Sequence, residues 1–238
     1  LASVTRRDPR VFRVSCTLSE PVDPGLLDAA LARTVREYPQ FQVTLHRGLF
    51  WHYLESSDKH PRAVPETLPP CAAIYGRELK NDLLYRVSYY HDRINVEMFH
   101  ALSDGNGGMM FLQSLVYNYL QLKYPQALAG VPGGERASEE ESGQDSFRQY
   151  YTGDAAGQED PTNRKPVYRM RGLKLPYDQV QFFEGHLSAA QVLAKARGRG
   201  VALTSFLAAA QMLAVYREMP ALERSRAVSV SLPVNLRN

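Results

Sequence analysis

Strand-like and helix-like segments alternate along this sequence, and together they predict an α/β fold built in two halves. Three observations carry that expectation. Several short runs place apolar residues at period two. Longer runs between them place apolar residues at helical spacing. From Gly130 to Pro166 neither pattern holds, and the stretch is acidic and glycine-rich.

The first strand is Phe12–Leu18, with Phe12, Val14, Cys16 and Leu18 on one face. Asp23-Pro24 offers a helix cap followed by a proline at the first helical position. Leu27, Leu31, Thr34, Val35 and Tyr38 then fall at helical spacing, and Pro39 ends the helix. Gln42–His46 and Phe50–Glu55 read as a hairpin whose turn contains Gly48, and the prolines between Lys59 and Pro70 mark a loop. A second hairpin pairs Leu84–His91 with Ile94–Phe99 around Asp92-Arg93, and His100 continues the parity of Ile94, Val96 and Met98. After Ser103-Asp104-Gly105-Asn106-Gly107-Gly108 a helix carries Phe111, Leu112, Leu115, Val116, Tyr119 and Leu120, with Lys123 in its last turn and Pro125 beyond.

These elements make residues 1–129 the N-terminal lobe, 130–166 an acidic flexible linker and 167–238 the start of a second lobe. Within the linker, Phe147, Tyr150 and Tyr151 suggest a short docked helix. The second half is expected to hold a strand near Val180–Leu187 and a helix capped by Ser188 that ends near Gly198–Gly200. A buried helix capped by Thr204 follows, then a final strand through Val228, Val230 and Leu232.

With 238 residues, 44% of them apolar, the chain can bury a proper core, which excludes wholesale disorder, collagen and coiled coil. A net charge of +3 is too small to imply nucleic acid. The arginines Arg6, Arg7, Arg10 and Arg13 have no interleaved aromatic recognition motif and read as a solvated edge. Cys16 and Cys71 lack paired spacing and read as free thiols in a reducing compartment. The best apolar run, Val201–Tyr216, is interrupted by Thr204, Ser205 and Gln211 and falls short of the roughly 20 residues a bilayer requires. No charged-then-apolar leader opens the sequence, and the expected location is the cytoplasm. A start at Leu1 and a stop at Asn238, just after a strand-like run, read as a piece of a longer protein.

The segment Phe99-His100-Ala101-Leu102-Ser103-Asp104-Gly105 is the best candidate for chemistry. A histidine leaves a strand and enters a tight turn with a carboxylate four residues on, and Gly105 allows a backbone angle that other residues resist. Imidazole accepts and returns a proton near neutral pH, provided that its ring is held, and Asp104 could hold the turn. The same residues also fit a structural histidine at a strand end with Asp104 capping the next helix. Two ligands are too few for a metal site, and His46, His52, His60, His91 and His186 are scattered. The glycines of Gly105-Asn106-Gly107-Gly108 lack the rest of a dinucleotide or P-loop signature and read as close-packing residues. No Gly-x-Ser-x-Gly elbow surrounds Ser103, so the substrate is expected to bring its own nucleophile.

His-x-x-x-Asp-Gly after a hairpin and before a helix resembles the chloramphenicol-acetyltransferase-like acyltransferases, which include BAHD enzymes, carnitine acyltransferases and condensation domains of peptide synthetases. The preceding strand–helix–hairpin, the Thr204–Ala210 helix and the closing Pro233-Val234-Asn235-Leu236-Arg237 fit the same order, and bacterial alcohol acetyltransferases are the nearest look-alikes. Two features depart from the pattern. Phe99 stands where condensation domains carry a first histidine, and much of the second lobe falls outside the sequence.

The resemblance implies two lobes, each a mixed sheet flanked by helices, with a tunnel between them. It implies direct acyl transfer from acyl-CoA, as donor substrate and with no cofactor, to a small alcohol or amine. His100 would be the general base, and Asp104 would hold an arginine, for which Arg237 is the candidate. Gly105 would let the turn close, and Ser103, Asn106 or backbone amides would meet the oxyanion. Two alternatives remain: transfer from an acyl carrier protein in condensation or lipid-ester formation, and a non-catalytic binding or scaffold role. Neither nucleic acid nor stable membrane insertion is implied.

Overall fold

The computed structural model describes residues 8–74, 82–133 and 166–232, except 174, 177, 178 and 180. The expectations for the acidic stretch, for Phe147, Tyr150 and Tyr151, and for Arg237 lie outside the described residues. The chain divides into two compact units, Leu1–Gln144 with Leu175–Val180, and Asp145–Lys174 with Gln181–Asn238.

The first unit is a mixed α/β fold. Strand β1 (Val11–Thr17) is followed by helix α1 (Pro24–Glu37), strands β2 (Val43–Arg47) and β3 (His52–Ser56) and the two-residue strand β4 (Val64–Pro65). Strands β5 (Tyr85–Tyr90) and β6 (Arg93–Phe99) then lead into helix α2 (Gly105–Lys123). The sheet order is β1-β6-β5-β4. The first three strands are antiparallel neighbours, and β4 runs parallel to β5. β2 and β3 form a separate hairpin, tied towards β5 by a bridge between Thr44 and Leu83.

Helix α1 starts where Asp23 accepts a hydrogen bond from the Leu26 N–H at 2.9 Å, satisfying one of the free donors of the first turn. It ends at Tyr38, before Pro39. Its apolar stripe of Leu27, Ala30 and Leu31 faces Phe111, Leu115 and Tyr119 of α2, and both helices cover the sheet face carrying Val87, Ile94, Val96 and Met98. Burying each Leu, Val, Ile, Phe or Met side chain of this core contributes about 1.5–3 kcal/mol. Two buried polar groups cross the helix pair with their bonds satisfied. Asn118 donates to Thr34 Oγ1 and to Glu37 Oε1, both at 3.1 Å, and Thr34 donates to the Ala30 carbonyl at 2.9 Å.

β6 is buried on both faces, which a period-two reading of Ile94, Val96 and Met98 does not reveal. On the opposite face Glu97 is 1% exposed. Register places it between two arginines, Arg13 on β1 and Arg86 on β5. Arg13 Nη2 lies 2.7 Å from Glu97 Oε1, Arg86 Nε donates to Oε2 at 3.0 Å, and a second Arg86 nitrogen, Nη2, contacts the same oxygen. The Cys71 N–H adds a further bond to Oε1 at 2.6 Å. Glu66, just past β4, extends the network to Arg13 Nη1 at 2.5 Å and Arg93 Nη2 at 3.0 Å. The Lys59–Pro70 loop is thus tied down by charge-assisted hydrogen bonds and contains the short strand β4, although its prolines mark it as a loop.

Burial alone would push the Glu66 carboxyl up, but its hydrogen bonds and attraction to Arg13 and Arg93 outweigh burial and hold it below its ordinary value. A depressed carboxyl stabilises the fold above its unfolded pKa, and that stability is lost as pH falls through the folded value. Thermal melts are therefore expected to show a loss of stability below about pH 4.5 that is smaller in Glu66→Gln. Parallel pH profiles for the two proteins would remove Glu66 from this role.

Five expectations are corrected. The second hairpin turns at His91-Asp92, with His91 at φ +50°, because Tyr90 pairs with Arg93 and leaves two residues between the strands. In the second unit neither 181–187 nor 228–232 forms a strand; among the described residues extended pairing there is one parallel bridge between Val167 and Ala227. Ser188 caps helix α3 (Ala189–Arg197) by accepting from the Gln191 N–H at 3.3 Å, as expected. Helix α4 (Leu203–Glu218) starts after Ala202 with no side-chain cap, so Thr204 lies inside its first turn. Finally, α4 buries no residue: Leu203, Leu207, Leu213 and Tyr216 remain exposed. Its apolar residues lie on every side, and although α3 packs against it, none of them is buried. No helix among the described residues is long and apolar enough to cross a membrane.

Candidate functional site

β6 ends at Phe99, and the next residue starts the turn. The His100 N–H donates to the Arg10 carbonyl at 2.7 Å, and the Leu102 N–H donates to the Phe99 carbonyl at 2.8 Å. The first bond ties the turn to the start of β1, and the second closes it. The backbone of His100 is therefore held by the sheet, while its side chain is exposed.

Asp104 is the N-cap of α2. Its Oδ1 accepts from the Gly107 N–H at 2.8 Å, and its carbonyl accepts from Gly108 at 3.1 Å. Among the described residues no hydrogen bond joins it to the His100 ring; it holds the turn by capping the helix that follows, the second of the two readings the sequence offered for it. Asp104→Ala is expected to cost about 0.5–2 kcal/mol in chemical denaturation, and Asp104→Asn, which can still cap, to cost less. Equal stability of all three proteins would rule out the cap.

The glycines divide differently from the expectation. A Cβ on Gly105 would meet nothing within 4 Å, and its φ is not left-handed, so nothing local demands glycine there. At Gly107 a Cβ would collide with Ser103 Oγ. At Gly108 it would lie 2.6 and 2.9 Å from two carbons of the Phe12 ring. Close approach is what fixes these two positions. Ser103 is half-buried beside Gly107, whereas Asn106 is exposed with its amide 3.8 Å from Met110 Sδ. The structure thus gathers His100, Ser103, Asp104, Gly105 and Asn106 on one turn; Arg237 is not among the described residues.

Sequence reading missed Phe12 as part of this site. Its ring lies 5.0 Å from the His100 ring, centroid to centroid, at 55°. Pairing of Phe12 with Met98 puts it two residues from His100 on the same face, which becomes legible once the β1–β6 register is known. A larger open cleft in this unit, about 390 Å³, runs past Lys59, His60, Arg62, Tyr85 and Arg86 and is not lined by His100. Three of its cations are already matched by carboxylates: Lys59 by Asp82 at 2.6 Å, Arg62 by Asp28 at 3.0 Å, and Arg86 by Glu97.

No family model and no curated protein matches the chain. Among solved structures, the starter condensation domain of rhizomide synthetase is similar over 53% of this chain and 35% of its own, at 13% identity and TM-score 0.42. SgcC5 protein from Streptomyces globisporus is similar over 55% of this chain and 33% of its own, at 14% identity and TM-score 0.41. The X-domain from teicoplanin biosynthesis is similar over 55% of this chain and 31% of its own, at 15% identity and TM-score 0.37. The matched part spans about a third of the length of each.

Proposed function

We propose that the chain carries the general base of an acyltransferase, which moves an acyl group, acetyl in the simplest case, from a CoA thioester to an alcohol. The observation that carries this reading is the presentation of His100: a backbone fixed to a buried central strand and an imidazole left exposed at the strand's end. Its order before Asp104-Gly105, on which the sequence resemblance rests, supports the same assignment. The exposed imidazole makes no hydrogen bond among the described residues, so neither ring nitrogen is consumed by the fold.

In the proposed reaction the imidazole takes the proton of the attacking hydroxyl while the new C–O bond forms at the thioester carbonyl. The tetrahedral oxyanion then collapses. The C–S bond breaks, and the imidazolium returns its proton to the leaving thiolate. The acyl group moves in one transfer with no enzyme-bound ester, so no serine or cysteine nucleophile is required. Ser103, Asn106 and those backbone amides of the turn that Asp104 does not engage remain the candidates to meet the oxyanion.

The test is a donor panel on the natural full-length protein. CoA thioesters of different chain lengths and the same acyl groups on a carrier protein are offered with a small alcohol or amine, and both free thiol and acylated acceptor are measured. Acceptor-dependent thiol release from CoA thioesters is expected. Turnover of carrier-bound donors alone would move the donor assignment to the carrier protein, and no turnover with any donor would favour a binding or scaffold role.

A further inference from the structure

We propose that Phe12 is the positioning residue for His100, and that Gly108 is glycine so that the Phe12 ring can sit where it does. The inference rests on the reading of His100 as a general base and adds what holds its ring. Asp104 is engaged by the helix it caps. Among the described residues the imidazole has no hydrogen-bond partner, and its ring contact is Phe12, at a separation and tilt typical of aromatic pairs.

Phe12 is itself held from two directions. Its backbone pairs with Met98 in the β1–β6 ladder, and its ring lies against Gly108 on the first turns of α2, where even a methyl group would approach to 2.6 Å. Helix, strand and turn thus meet in a row of Gly108, Phe12 and His100. A general base acts well only when its ring is held within a narrow range of the productive direction, and misplacement by about 1 Å can cost about 100-fold in rate. A half-buried phenyl group restricts the imidazole without consuming either ring nitrogen, which leaves the ring free to exchange a proton with substrate.

The test combines NMR and kinetics on the full-length protein. In wild type the Phe12 ring current is expected to displace the His100 ring-proton signals, and Phe12→Leu to abolish that displacement. Phe12→Leu should lower kcat about 10- to 100-fold with KM nearly unchanged, whereas Phe12→Tyr, which keeps the ring, should restore most of it. Gly108→Ala should lower kcat although neither ring is altered, and the Phe12→Leu/Gly108→Ala double variant should be little worse than Phe12→Leu alone. A melting temperature lowered by Phe12→Leu with kcat and the His100 signals unchanged would reduce Phe12 to ordinary packing and overturn the proposal. If the displacement is lost in Phe12→Leu but wild type transfers no acyl group, the ring contact stands and the acyltransferase reading fails instead.

Discussion

Glu97→Ala should destabilise the first unit by about 3–5 kcal/mol. The carboxylate is 1% exposed and accepts bonds from Arg13, Arg86 and the Cys71 N–H. Its removal leaves guanidinium groups and a backbone donor without their acceptor in a place where water is scarce. The cost is the desolvation of those orphaned groups, and it exceeds the net worth of the intact pairs. Replacing Arg13, Glu97 and Arg86 together by apolar residues of similar volume should therefore cost less than Glu97→Ala alone. Hydrogen exchange at the β5 and β6 amides follows this unit specifically, and denaturant melts give the magnitude. A Glu97→Ala protein within 1 kcal/mol of wild type would show that the network is a solvated surface cluster.

His100→Ala should behave in the opposite way, with a large loss of turnover and a small change in stability. General-base work of this kind contributes about 10²–10⁴-fold to rate. The backbone bond from His100 to Arg10 does not depend on the side chain, so the turn should survive its truncation. What is lost structurally is one contact with Phe12, so the melting temperature should shift little. Loss of turnover with a folded protein supports the general-base role. Wild-type turnover in His100→Ala would eliminate it. The contrast with Glu97 separates a group that maintains the fold from one that the fold displays.

The elements of the first unit were legible because their signals are local. Asp23-Pro24 and Asp104 announce helix starts through donors that any helix leaves unsatisfied, and alternation in Phe12–Leu18 and Ile94–Phe99 marks one buried face. The second unit was legible only in part. Ser188 follows the same capping rule, but period two at Val228, Val230 and Leu232 did not become a strand, since a strand exists only with a partner to bond.

The position of the candidate base, its turn and the cap that follows it were determined by the sequence itself, because each depends on residues within a few positions of one another. Tertiary structure alone decided what surrounds them. The Arg13–Glu97–Arg86 rung and the Gly108–Phe12–His100 row join residues from separate segments, and the β1–β6 pairing brings both together. Such juxtapositions depend on strand register. A slip of β1 by one residue against β6 would turn Phe12 and Arg13 to the opposite faces of the sheet.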